Sequence, residues 1–121
     1  MRIFHIAEPD TWARARSTGS FTMSTRGRTL EEEGFIHCSQ PQQVSLVLEA
    51  VYADLEHDLL LLVIDTDLLT SPWQLDDVPG ADDPFPHIYG PLNTSAVLDE
   101  LVLRRTADGF VVPDLTDNPA T

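Results

Sequence analysis

The sequence predicts an α+β domain with its helices in the N-terminal half and a mostly antiparallel sheet after them. Three observations lead there. The main helical signals, among them the spacing of Val44, Val47, Leu48, Val51, Tyr52 and Leu55, come early in the chain. Short apolar runs separated by turn residues fill the rest of the chain. One of them, "LLLLVI" from Leu59 to Ile64, is continuously apolar, the pattern of a strand buried on both faces. A length of 121 residues with 42% hydrophobic composition suits one domain over 1–121.

In chain order, "RIFHIA" alternates apolar and polar residues and is rich in β-branched and aromatic types, so it reads as a strand. "EPDTWARARSTG" then carries Pro9 where a first helical turn accepts it and Gly19 where a helix can stop. "SFTMSTRGRT" reads as an extended piece followed by a loop. Thr29 and Glu32 have capping-box spacing and Gly34 follows, which predicts one short helical turn. "FIHCS" is a second strand, and "QPQQVSLVLEAVYADLEHD" is a long helix capped near Ser39 or Gln40.

After the buried strand comes a segment with five prolines, from Leu68 to Asn93. It is expected to hold short strands around Trp73 and around His87–Tyr89, joined by an acidic loop. "TSAVLDELVLRR" starts as a turn or short helix and continues as a strand that pairs with "FVVP" across "TADG". A flexible tail is expected over 114–121.

The formal charge of −13 argues against nonspecific binding to nucleic acid or to an anionic membrane, because both need a cationic surface. The charge is uneven. Residues 1–28 hold five arginines and two acids, and residues 29–121 hold two arginines and eighteen acids. An anionic small ligand would therefore meet the early arginines, with Arg26 and Arg28 as the phosphate-pairing choices. The longest apolar run is too short to span a bilayer, and no secretory pattern opens the chain, so a cytoplasmic protein is expected. One cysteine excludes an internal disulfide and a cysteine-rich zinc site.

Of the four histidines, His57 lies in the polar "DLEHD", whereas His5, His37 and His87 lie in predicted strands. Strand alternation puts His37 on a face with Phe35 and Ser39, and His87 on a face with Tyr89. If the strands are neighbours, His5, His37, Ser39, His87 and Tyr89 meet in one cleft. Such a cluster fits a substrate site, a metal or a set of paired core side chains. No two histidines have the spacing of a familiar metal motif, and no metal is assigned. Cys38 adjoins His37 but points to the opposite face, so it is a small buried hydrophobe and not a nucleophile with its base. Asp76, Asp77, Asp82 and Asp83 lack calcium-loop spacing and read as a solvated acidic loop.

"IFHIA", the Trp of the first helix, "LEEEGFIHCSQPQQV" and "FPHIYGPLNTSAV" together resemble the domain-of-unknown-function family 952, over roughly Ile3 to Pro113. That resemblance implies an ADP-ribosyltransferase-like fold, in which a split sheet carries three motifs. His5 fits the first-strand position that contacts the ribose and phosphate of NAD. Ser39 fits the strand-to-helix position beside the nicotinamide, with His37 on its face. His87, with Tyr89 beside it, takes the third, catalytic position. There the transferases often carry Glu, and "DDPFPHIYGPLN" has none. The implied function is binding of NAD or a related nucleotide as substrate, with transfer or cleavage of ADP-ribose and no required cofactor. The alternatives are a non-catalytic binding module and a histidine-based metal-dependent enzyme.

Overall fold

In the computed structural model, residues 1–115 are described. The expected tail over 114–121 lies outside them from residue 116 onward.

The continuously apolar run becomes the centre of the fold. It forms β6 (Leu59–Asp65), flanked by β1 (Arg2–Ala7) and by β10 (Val97–Thr106), and β11 (Gly109–Val111) closes a hairpin on β10. All three pairings are antiparallel, in the order β1-β6-β10-β11. Alternation splits β6 between two cores. Leu62 and Ile64 pack with Ile3, Ala7, Trp12 and Ala15. Leu59, Leu61 and Val63 pack with Phe4, Ile6, Val44 and Leu48. Helix α1 (Pro9–Thr18) covers the first face and α3 (Val44–Val51) covers the second, which is why a strand with no polar alternation is stable here.

Between these elements lie β2 (Ser20–Phe21), β3 (Met23–Thr25), β4 (Arg28–Thr29), α2 (Leu30–Glu33) and β5 (Ile36–His37). The capping box is present: the Thr29 side chain accepts from the Glu32 N–H, and Glu32 accepts from the Thr29 N–H. The second half adds β7 (Trp73–Asp76), β8 (Phe85–Ile88) and β9 (Leu92–Asn93). β5, β8 and β7 form an antiparallel three-stranded sheet in that order.

Two expectations are corrected. The long helix is shorter than its periodicity suggests. A 3₁₀ turn at Pro41–Gln43 leads into α3, which stops at Val51, and "ADLEHD" continues as turn and irregular chain, with Leu55 packed on the second core and His57 paired with Glu8. The split sheet with helices confined to the N-terminal half also does not hold, although α+β broadly fits. Helical turns recur at Thr66–Leu68 and Thr94–Ala96, and the strands curl into a half-barrel. The curl has a local cause. Phe4 and Ser39 exchange both backbone hydrogen bonds, at 2.9 and 2.7 Å, so the free edge of β1 is bridged to the residue just beyond β5. Cys38 N–H continues the ladder onto the Pro86 carbonyl at 2.9 Å. Among the described residues, no helix is long and apolar enough to cross a membrane.

Candidate functional site

The site is built by register. In the β5-β8-β7 sheet, His37 lies opposite His87 and His87 opposite Gln74, while Ile36 lies opposite Ile88 and Ile88 opposite Trp73. Side chains alternate, so Ile36, Cys38 and Ile88 enter the core, and His37, His87 and Gln74 form a row across the other face. Phe35, Tyr89 and Asp76 extend that row along their strands. Phe35 stacks on the His87 ring with centroids 4.1 Å apart and planes 23° from parallel. It meets the His37 ring edge-on at 4.7 Å and tilts against Tyr89 at 5.6 Å. The His37 and His87 rings stand 5.2 Å apart and nearly perpendicular.

Asp76 organises the polar side of this cluster. Its Oδ2 accepts from His87 Nδ1 at 2.7 Å and from the Tyr89 hydroxyl, and its Oδ1 accepts from Gln74 at 2.6 Å. The Tyr89 bond, with those from His87 and Gln74, holds the Asp76 carboxyl below its ordinary range. The same bond moves the Tyr89 phenol up. An ionised carboxylate only accepts, so the His87 proton sits on Nδ1. Burial keeps the His87 imidazole more acidic than usual despite Asp76, and His37 pushes the same way. Two buried side-chain atoms lack a hydrogen-bond partner among the described residues, Trp12 Nε1 and His87 Nε2. At the other end of the row, His37 Nε2 lies 3.3 Å from Glu33, and that bond lowers the Glu33 carboxyl.

His5 is placed differently. It is 3% exposed, packs edge-on against Phe21 at 5.2 Å, and its Nδ1 lies 2.6 Å from the His37 carbonyl oxygen. A carbonyl cannot donate, so His5 carries its proton on Nδ1 and keeps Nε2 as an acceptor. Burial lowers its pKa to about 4, so the ring is neutral at physiological pH. His5, His37 and Ser39 share a cavity of about 220 Å³, whose apolar walls include Val47, Val51, Tyr52 and Phe85. His5, Thr25 and Tyr52 also border a recess of about 20 Å³ that reaches Arg26.

The residues singled out in the sequence thus divide into two neighbouring groups that meet at His37. His37, His87 and Tyr89 share the polar face, and His5, His37 and Ser39 share the cavity. The arginines are engaged elsewhere. Arg26 donates to Asp54 and to the Val51 carbonyl, and Arg28 pairs with Glu33 at 2.9 Å. His57 pairs with Glu8 at 3.1 Å on the surface. Cys38 is buried, and burial pushes its thiol up, out of the reactive range. Among the described residues, no group of three or more His, Cys, Asp or Glu side chains is arranged to hold a metal ion.

Sequence reasoning missed Asp76, Gln74 and Glu33. Asp76 reads as part of the acidic loop, yet "WQLD" alternates, and extending the strand around Trp73 puts Gln74 and Asp76 on one face. Glu33 sits four residues before His37, but Gly34 turns the chain between them, so a helical i,i+4 argument would not have found the pair.

The comparisons agree with this architecture. The X-ray structure of protein CC0527 from Caulobacter crescentus superposes with a TM-score of 0.78 at 28% identity, covering 91% of this chain and 92% of that one. The solution NMR structure of CC0527 gives a TM-score of 0.72, also at 28% identity, covering 90% of each chain. No curated protein matches the chain. The family described as "Protein of unknown function (DUF952)" matches residues 6–100, most of the sequence, and the chain belongs to that family.

Proposed function

We propose that this protein binds a small molecule through one planar ring, of nucleobase or nicotinamide size, in the cavity shared by His5, His37 and Ser39, with NAD-class nucleotides as the ligand class. The observation that carries the reading is the cavity itself. At about 220 Å³ it falls below the roughly 300–1,000 Å³ of drug-sized sites, so it admits a single ring and not a whole dinucleotide. Its walls suit that guest. Tyr52, Phe85, Val47 and Val51 offer apolar contact, and the Ser39 hydroxyl and the neutral His5 ring offer hydrogen bonds. Partnership with nucleic acid or membrane is disfavoured by the charge of −13.

Transfer or cleavage of ADP-ribose would also require a host for the diphosphate. Arg26 and Arg28 are held by Asp54 and Glu33, and this favours a second reading, a binding module without transfer chemistry.

Calorimetric titration of nicotinamide, adenosine, NAD and ADP-ribose tests the proposal. Binding of at least one ring-bearing compound at millimolar concentration is expected, with loss of the signal in Val47→Trp, which fills the cavity from α3. Absence of binding by all four, or equal binding to Val47→Trp, overturns it.

A further inference from the structure

The polar face holds one atom that packing does not explain. His87 is 5% exposed, and its Nε2 is buried without a hydrogen-bond partner among the described residues. Such a group has a stability cost, and in native proteins it calls for an explanation. The opposite nitrogen of the same ring is held firmly. Nδ1 donates to Asp76 at 2.7 Å, and Asp76 is itself fixed by Gln74 and Tyr89. A carboxylate anchored by three donors leaves the imidazole a single neutral tautomer, with its lone pair on Nε2. Phe35 lies flat on the ring at 4.1 Å and shields it from water.

We propose that Asp76 is a positioning residue that holds His87 with its proton on Nδ1, so that Nε2 serves as a general base toward a hydroxyl-bearing small molecule, with Phe35 as its movable cover. In the step, the lone pair of Nε2 takes the proton of the ligand O–H, the oxygen keeps the electron pair, and the imidazolium formed is stabilised by the Asp76 charge at Nδ1. The proton then returns to the product or to solvent. No oxidant or further reactant is needed. The charged and titratable groups around the ring are Asp76 on β7, Tyr89 just after β8, His37 on β5, and Glu33 of α2 beyond His37. Of these, only Asp76 bonds to the His87 ring.

This assignment rests on the ligand-binding reading only for the identity of the ligand. Long-range ¹H–¹⁵N NMR of the labelled full chain, with no ligand added, reads the tautomer directly. His87 is expected as the pure Nδ1–H form at neutral pH. In Asp76→Asn the Nε2–H form should appear, and Asp76→Glu should restore the original. The exposed Tyr89→Phe variant leaves Asp76 Oδ2 to His87 alone, with Gln74 still on Oδ1, and should raise the pH at which His87 titrates. This variant keeps the test alive if Asp76→Asn does not fold.

Diethyl pyrocarbonate, which modifies unprotonated imidazole nitrogen, supplies a chemical readout by mass spectrometry. Phe35→Ala should speed modification of His87. Adding Asp76→Asn should reverse that gain by about tenfold, equivalent to about 1.4 kcal/mol of lost tautomer preference. An Nε2–H tautomer in the wild type, an unchanged tautomer in Asp76→Asn, unchanged titration in Tyr89→Phe, or a Phe35→Ala rate equal to wild type overturns the proposal. None of these outcomes depends on the calorimetry, so failure of either reading is seen separately.

Discussion

The His5 imidazole donates its Nδ1 proton to the backbone carbonyl of His37 across 2.6 Å, next to the backbone bridge between Phe4 and Ser39. This bond ties the edge of the central sheet to the strand that carries the polar face. It also fixes the His5 tautomer with the proton on Nδ1, while burial, which outweighs the bond's pull towards protonation, keeps the ring neutral.

The burial of His5 predicts acid sensitivity. The folded-state pKa of His5 is about 4, below the ordinary 6.5. The unfolded chain therefore binds more protons below pH 6.5, and stability falls as pH drops from 6.5 towards 4 and is flat in this respect outside that window. The gap is worth about 3 kcal/mol. Urea midpoints across this range should fall with pH. His5→Gln keeps a donor for the His37 carbonyl and should flatten part of the slope. An identical slope in the variant would show that His5 is not the source. His87, whose pKa is also lowered by burial, adds a contribution of the same sign.

Gly90 follows Tyr89 at φ 158°, and a Cβ there would lie 2.5 Å from Ser71 Oγ and 2.9 Å from Ser71 Cβ. Ser71 is itself held, donating to the Pro91 carbonyl at 2.7 Å. Gly90→Ala is expected to cost about 1–3 kcal/mol of stability, measurable by thermal or urea unfolding. An unchanged midpoint would mean that the Ser71 turn yields freely.

Gln40 and Gln43, just before α3, hold the acidic loop in place. Gln43 is 3% exposed, and its amide donates to the Asp83 and Pro84 carbonyls at 3.2 and 3.0 Å. Gln40 donates to the same Pro84 carbonyl at 2.7 Å. Gln43→Ala removes the buried donor and should make the segment 77–84 more susceptible to an aspartate-directed protease, with cleavage mapped by mass spectrometry. Equal cleavage in variant and wild type would assign the loop's order to other contacts.

Cys38 should resist alkylation by iodoacetamide in the folded protein and react only on unfolding. It is 2% exposed, and burial disfavours its thiolate. Rapid modification under native conditions would contradict its place in the core.

Much of the architecture was legible in the sequence because it depends on local rules. The capping box at Thr29 and Glu32, the double-faced burial of Leu59 to Ile64 and the opposite facing of His37 and Cys38 all follow from periodicity and hydrogen-bond chemistry within a few residues. The helix that the pattern predicts from Gln40 to Asp58 ends early for a physical reason. Its apolar spacing continues to Leu55, but the chain needs a turn there to enter β6, and tertiary closure wins over local propensity.

Only the tertiary structure decided which strands are neighbours, and the site depends on that. The pairing of His37 with His87 is a long-range register, and so is the arrival of Asp76 from β7 at the ring of His87. The curl that brings β1 against Ser39 rests on two backbone hydrogen bonds between residues 35 positions apart, for which side-chain pattern carries no signal. By itself the sequence determined which faces are polar and which are buried. The fold determined which polar faces meet, because non-local contacts are selected by the packing of the whole core and not by any one segment.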